Sequence, residues 1–424
     1  MTQNNNPLEV AKHIVDHLYD FRDNYFIDCD NGSNTSEPLN SYKSKQIDVN
    51  NKLEEALKRL DELCVDNEWT ASDRALYQLQ RGRAFNISDK YVDQAFEALS
   101  RAIKLWPQLT EGWNQLGEWY RKKGDNEAAL NCFESALKHE INKTSLRNAS
   151  IILRQLGTTA QEKSSNLLKS VERAKQALEC DVCDGISWYI LGNAYLTLFF
   201  RSHTKRDESV LKACKVAYLK AYNHPLARNQ TDFLFNYATV CHYEHHFQRA
   251  LDCLQRAVIL DPEWEEPLAK QNALIAYLKD ICDVIDKKAS LKARRIKLLI
   301  DSLIKDTRLK IYEKRKFAQI NDLEVGTNAS TDLICKVIHC INNSSAMANT
   351  YCLMDGNKEC MALFVYNLSA QNGPKTGDSI VIQRPTVESH DFDIEDKNYT
   401  LKSIRVDNPL NLIINNKTIS KDNI

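Results

Sequence analysis

Glycine and proline are scarce in this chain, at 12 and 9 of 424 residues. Each is less than half its ordinary share of roughly 7% and 5%. So few breakers argue against an all-β or glycine-loop enzyme architecture and point to long helices with few tight turns. Net charge is nearly absent as well. Fifty-six Lys and Arg against 57 Asp and Glu leave −1, which excludes a globally basic nucleic-acid coat and leaves room for a local basic patch. The longest apolar run, ISWYILGNAYLTLFF, is too short to span a membrane and carries Asn193 in its middle. The chain opens MTQNNNPLEV, with no charged-then-apolar leader, and its 13 scattered cysteines are an odd number. A disulfide framework is therefore not expected, and a reducing, cytoplasmic setting without a membrane is. P-loop, GxSxG, HExxH and dinucleotide-turn motifs are missing, and no carboxylate pair stands out. The expectation is a non-enzyme that needs no cofactor and no metal. At 48.7 kDa the chain is long enough for two or three domains.

What is present is an internal repeat. Trp113, Leu116, Gly117 and Tyr120 spell W-x2-L-G-x2-Y and are followed by Gly124-Asp125, Ala129, Phe133 and Ala136. Trp188, Leu191, Gly192 and Tyr195 repeat the first half, with Cys214, Tyr218 and Ala221 at the spacing of the second. Ala250, Leu254, Ala257 and Pro262 copy the second half again, as do Ala95, Leu99, Ala102 and Pro107. A weaker unit holds Leu146, Ala149, Ser150 and Leu153, then Ser170, Ala174 and Ala177. Small residues let helix A approach helix B while Trp and Tyr fill the gap to the next repeat. This is the pattern of a tetratricopeptide-repeat superhelical solenoid, so the fold is mostly α. Two polar insertions, near 158–166 and 201–209, read as loops lengthening the adjoining helices. Ahead of the repeats, two segments with helical apolar spacing flank the polar loop DNGSNTSEPLNS.

Past Pro262 comes a long helix, EEPLAKQNALIAYLKDICDVID, and a basic stretch. From about residue 330 the pattern changes to short β-branched runs: LICKVIHCI, ALFVYNL, DSIVIQ, SIRV and LNLII, with Asp355-Gly356 as a hairpin signal. About five strands in such a span predict a small C-terminal all-β domain of OB-fold type. The expected domains are N-terminal capping helices over 1–69, repeats over 70–285, a basic helix and linker over 286–325, and the OB-fold over 326–424.

A solenoid binds through the concave face lined by its A helices. Counting from the Trp positions puts Glu111, Asn114, Glu118 and Arg121 there, then Thr144, Arg147, Ile151 and Arg154, then Ile186, Tyr189, Asn193 and Leu196. Counting back from Pro262 adds Asp232, Phe235, Thr239 and His242, and counting forward adds Glu266. Arginines in the middle and carboxylates toward the C-terminal end suit an extended peptide bearing charges of both signs. The same residues also fit ordinary solvated charge. A clamp for an acidic C-terminal tail would need basic residues throughout, and Asp232 and Glu266 would repel that tail.

LYDFRDNYF, WNQLGEWYRKKGD, LRQLG, DGISWYILGNAYL and LDPEWEEP resemble the tetratricopeptide repeat protein five family, also called Strap, from about residue 8 to about 415. Departures are the two insertions and Cys214, which touch helix B packing. The resemblance implies an adaptor that joins a tetratricopeptide array to an OB-fold. Its members recognise the nascent Met-Arg-Glu N-terminus of α- and β-tubulin at the ribosome. They recruit deadenylation through a second adaptor, so that excess tubulin triggers decay of its mRNA. The family is also described as a stress-responsive cofactor of a histone acetyltransferase complex in transcription, which implies a nuclear alternative. By resemblance, Arg154 pairs with the peptide's acidic residue, and Asp232 and Glu266 hold its arginine. Ribosome contact is implied for Arg101 and Lys104 in SRAIKLWP, where one of two lysine-like positions is arginine.

A short epitope needs a second anchor, and the chain has a basic surface to offer. Between Lys287 and Lys316 lie Lys287, Lys288, Lys292, Arg294, Arg295, Lys297, Lys305, Arg308, Lys310, Lys314, Arg315 and Lys316, against Asp301, Asp306 and Glu313. Ribosomal RNA docking, a solvated helix and a nuclear localisation signal all fit that stretch. The OB-fold segment 318–424 carries nine basic and thirteen acidic residues, which favours protein contact over single-stranded nucleic acid. Cys180-Asp-Val-Cys183 is half a zinc site without a second half. His242, His245 and His246 beside Cys241 fit a polar helix terminus better than a ligand set. A capped solenoid has no need to self-associate, so a monomer is expected.

Overall fold

The computed structural model describes residues 6–29, 38–63, 69–88, 90–201, 207–307, 316–343 and 346–419. Arg308, Lys310, Lys314, Arg315 and most of the DNGSNTSEPLNS loop lie outside them. The chain forms two compact units, residues 1–237 with 256–263, and residues 238–255 with 264–424.

The first unit is helical. Two N-terminal helices, α1 (Pro7–Cys29) and α2 (Pro38–Leu63), precede helix pairs built as the repeats require. These are α3 (Ala71–Phe85) with α4 (Asp93–Leu105), α5 (Thr110–Lys123) with α6 (Asn126–His139), and α7 (Lys143–Leu153) with α8 (Ala160–Cys180). Then come α9 (Gly185–Arg201) with α10 (Glu208–Tyr222), and the one-turn α11 (Pro225–Arg228). Helix α12 (Thr231–Tyr243) begins in the first unit and ends in the second, and α13 (Phe247–Leu260) begins in the second and ends in the first.

The repeat glycines show why the motif is spelled as it is. A Cβ on Gly117 would lie 2.6 Å from the Phe133 ring, and one on Gly192 would lie 2.4 Å from the Tyr218 ring. Each A helix therefore seats the aromatic of its B helix directly against backbone. Cys214 fits the same interface, buried, with its Sγ donating to the Gly192 carbonyl at 3.3 Å.

One insertion lengthens its adjoining helix by being helical itself. Of the polar insertion near 158–166, residues 160–166 form the first two turns of α8. Thr159 and Glu162 make a reciprocal capping box, with Glu162 N donating to Thr159 Oγ1 at 3.1 Å and Thr159 N to Glu162 Oε2 at 3.2 Å. The T-x-x-E spelling was legible; polarity without apolar period concealed it.

The second unit holds α14 (Glu265–Asp286), α15 (Ala293–Thr307) and ten strands. These are β1 (Phe317–Ala318), β2 (Gly326–Thr327), β3 (Asp332–Ile341), β4 (Asn349–Met354), β5 (Cys360–Val365) and β6 (Ser379–Gln383), followed by β7 (Thr386–Ile394), β8 (Lys397–Val406), β9 (Leu412–Ile414) and β10 (Lys417–Thr418). The strand order is β10-β9-β6-β3-β4-β5-β8-β7-β2, with β1 beside β3 and β5 parallel to β8. All five predicted runs are strands, and β4 and β7 join them. The Asp355-Gly356 turn links β4 to β5, held by Asp355, whose carboxylate accepts from Ile320 N, Asn357 N and Glu359 N at 2.8–2.9 Å.

One sheet face encloses a core of Leu333, Val337, Leu353, Leu363, Ile380 and Ile404. On the other face Leu299 and Leu303 of α15 cover Ile338, Met354, Ile334 and Val381. Burial on both faces explains why SIVIQ reads as a continuous apolar run rather than an alternating one. The basic α15 thus packs its apolar side on the sheet and leaves Arg294, Arg295 and Lys297 exposed.

Candidate peptide-binding site

Register arithmetic brings four of the predicted residues together in the first unit. Tyr189 of α9 donates its hydroxyl to Asp232 Oδ2 of α12 at 2.9 Å. One turn further along α9, Asn193 Oδ1 accepts from the Tyr218 hydroxyl at 2.6 Å and from Asn236 Nδ2 at 3.2 Å. Arg154, the residue that ends α7, reaches the same cluster. Its Nε is fully buried and has no hydrogen-bond partner. Burial pulls its pKa below the ordinary arginine value; Tyr189, Tyr218 and Asp232 oppose that pull and Arg201 reinforces it. Burial, then the Asp232 carboxylate, pushes the Tyr189 hydroxyl well above its usual range. Arg121 of α5, paired with Glu118, also feels Tyr189 and Asp232.

The result is an arginine whose buried Nε lacks a partner, beside a carboxylate that a tyrosine orients. A carboxylate or carbonyl oxygen is the complement of the first, and a cation of the second. A 690 Å³ cavity in the same unit carries a similar mixture, with Arg22, Lys90, Asp23 and Asp261 among its walls, and reaches Thr231 next to Asp232.

Other predicted site residues stand elsewhere. Arg147 Nη1 is paired with Asp184 Oδ2 at 2.9 Å, both mostly buried, and Asp184 also caps α9 through Ser187. Asn114 is buried and accepts from Ser145 Oγ at 2.6 Å across the repeat junction. Both join one repeat to the next. Glu266 belongs to the second unit and is exposed in the first turn of α14.

Arg101 and Lys104 are exposed on α4 and line a 550 Å³ cavity with Trp69, Arg74 and Tyr77. Sequence reasoning missed Arg74 and Trp69, although Arg74 lies on the α3 turn that faces α4. Of the basic stretch, Lys287, Lys292, Arg294, Arg295 and Lys297 are exposed, while Lys288 is half-buried and donates to the Lys358 carbonyl at 2.8 Å. Cys180 and Cys183 are exposed. Of the three expected neighbours His242, His245 and His246, only His245 joins a group of ligand-type side chains, and its companions are Glu388 and His390. Among the described residues no helix is long and apolar enough to cross a membrane.

Paired helices carrying such a site, followed by a β domain, define the class: a repeat-built adaptor that binds protein. Residues 314–424 match the family profile described as the Tetratricopeptide repeat protein 5 OB fold domain. The chain is 34% identical over 423 residues to Tetratricopeptide repeat protein 5 of Homo sapiens and of Bos taurus, covering 97% of this chain and 93% of each relative. With the protein of that name from Mus musculus it is 34% identical over 429 residues, covering 96% and 94%. The chain belongs to the tetratricopeptide repeat protein 5 family. Among solved structures it is similar to the tetratricopeptide protein YrrB, with a TM-score of 0.34 and 14% identity, covering 50% of this chain and 97% of that one.

Proposed function

We propose that this protein is a non-enzymatic adaptor that binds the nascent N-terminal peptide of tubulin at the ribosome and triggers decay of tubulin mRNA. Family membership supports the reading, and one observation carries it: the buried, unpartnered Arg154 Nε beside the Tyr189–Asp232 pair. A buried Nε–H without a partner is costly unless a ligand supplies one. In Met-Arg-Glu the glutamate suits Arg154 and the arginine suits Asp232. The resemblance alone gives Glu266 the second role as well. Arg101, Lys104 and Arg74 around Trp69 provide a basic surface with an aromatic platform, the chemistry of RNA contact. Lys287, Lys292, Arg294, Arg295 and Lys297 offer phosphate contacts of the sequence-blind kind. Docking would convert peptide capture into an intramolecular event at roughly millimolar effective concentration, so modest intrinsic affinity suffices.

Fluorescence-anisotropy titration of a labelled Met-Arg-Glu tubulin peptide tests the site. Wild type should bind, and Arg154→Ala should lose about 2–5 kcal/mol of binding free energy. A folded wild type that ignores the peptide at millimolar concentration overturns the reading. Co-sedimentation with ribosomes tests the second anchor. Affinity should fall steeply with salt, and Arg101→Ala/Lys104→Ala should reduce the slope of log affinity against log salt by about 2.

A further inference from the structure

The second unit contains a polar cluster that peptide capture does not use. It is built from the turn joining α12 to α13 and from strand β7. His245 N donates to the His242 carbonyl at 3.1 Å, and His246 N to the Cys241 carbonyl at 2.8 Å. That pattern places His245 just past the helix end at φ 59°, in the left-handed region. Glycine occupies such a position without strain, whereas a residue with a Cβ costs roughly 1–2 kcal/mol there. A histidine held at that cost, nine-tenths buried or more, calls for a reason.

The reason lies opposite. Glu388 and His390 alternate along β7, so both project to one face of the sheet. His245 Nδ1 stands 2.7 Å from Glu388 Oε2, and His390 Nε2 stands 3.6 Å from the same oxygen. The ligand-type atoms of all three residues lie within 4.8 Å of one another. The remaining ring nitrogen of His245 is anchored as those of metal-bound histidines usually are. His245 Nε2 meets the Tyr366 hydroxyl at 2.8 Å, and that hydroxyl donates onward to the Tyr243 carbonyl at 3.0 Å. In that arrangement Nε2 carries the ring hydrogen, which leaves the Nδ1 lone pair aimed at the Glu388 carboxylate. His390 hydrogen-bonds the His245 backbone, while its Nε2, the nitrogen nearest Glu388, also meets Ser403 Oγ at 2.9 Å, a contact that a bound cation would replace. With Nδ1 unprotonated, a lone pair and a carboxylate oxygen 2.7 Å apart call for a cation or a shared proton between them.

We propose that His245, Glu388 and His390 form a three-ligand site for a borderline divalent cation, Zn2+ foremost. Two imidazole nitrogens and one carboxylate oxygen are the donor set of open zinc sites. Zinc–ligand bonds of about 2.0–2.2 Å in a tetrahedron separate the donor atoms by about 3.3 Å, and the observed 2.7 and 3.6 Å bracket that spacing. Glu388 keeps 29% of its side chain exposed, so water can reach the fourth position. The charges facing the site are Arg405, whose guanidinium is paired with Asp407 at 3.0 Å, and Glu244, with His246 also nearby.

The test is calorimetric titration of Zn2+ into the metal-free full-length chain carrying Cys180→Ser and Cys183→Ser, which removes the exposed thiol pair. One equivalent should bind, and Glu388→Gln, an isosteric change at a partly exposed position, should weaken it about tenfold or more. His390→Gln should do the same. Co2+ loaded in place of Zn2+ should show d–d bands without a thiolate charge-transfer band. Absence of stoichiometric binding by folded protein overturns the site and leaves a shared proton between His245 and Glu388. Unchanged affinity in Glu388→Gln, or a thiolate band, overturns it as well.

Discussion

Arg147 and Arg154 stand seven residues apart, and the repeat register places both on the same face of the solenoid. Their surroundings divide that face into two regions. At Arg147 the next repeat supplies Asp184, and the arginine bonds repeat to repeat. At Arg154 the next repeat supplies Tyr189, whose hydroxyl is committed to Asp232, and Nε is left buried without a partner. Equal residue type and equal register therefore yield a structural joint in one region and a candidate binding group in the other. Which one results depends on the side chain that the following helix presents.

Substitution should separate the two regions most sharply in binding. Arg154→Ala should abolish peptide anisotropy at concentrations where Arg147→Ala still binds, a gap of about 2–5 kcal/mol. Equal losses would erase the distinction.

Burial acts differently on a group that can shed its charge, and His242 in the second unit is such a group. Burial first, then His245 and Lys270, lowers its pKa to about 3. The unfolded chain, with an ordinary histidine value near 6.5, binds more protons between those limits. Stability should therefore fall as pH drops from about 6.5 toward 3, by on the order of 3–5 kcal/mol for this residue. Thermal melts of wild type and His242→Phe across pH 7 to 4 check this; the variant should show the shallower decline.

Packing beneath the site sets a third contrast. Gly192→Ala would press a Cβ into the Tyr218 ring, which also holds Asn193. It should cost about 1–3 kcal/mol in denaturant unfolding and weaken peptide binding along with it. The smallest and most diagnostic effect is one of sign. Arg147→Met leaves the mostly buried Asp184 carboxylate with its Ser187 cap but without its cation and should lower stability by about 1–3 kcal/mol. Arg154→Met removes a guanidinium whose buried Nε has no partner and should raise stability by about 1 kcal/mol. Denaturation midpoints moving in the same direction for both variants would contradict the comparison.

Much of this architecture was legible because its signals are local. The W-x2-L-G-x2-Y spelling marks a contact between neighbouring helices, so Gly117 against Phe133 and Gly192 against Tyr218 follow from short-range spacing. The β-branched runs and the Asp355-Gly356 turn likewise announce strands within a few residues. The insertion ahead of α8 reads as a loop that lengthens the helix, not as helix, because polar residues show no apolar period, even though Thr159 and Glu162 spell the cap.

The site was legible only in part. Counting along helices placed Arg154, Tyr189, Asn193 and Asp232 on one face, and the structure brings them together. It could not tell that Arg147 and Asn114 find partners across the repeat junction, since those partners come from another helix. Nor could it join His245 to Glu388, 143 residues away. The sequence alone determined periodicity, and with it the class of fold, because hydrophobic spacing and small-residue contacts act between neighbours in the chain. Tertiary structure decided which polar groups are satisfied and which are left buried without a partner, because hydrogen-bond complementarity is settled between side chains that distant segments bring within about 3 Å.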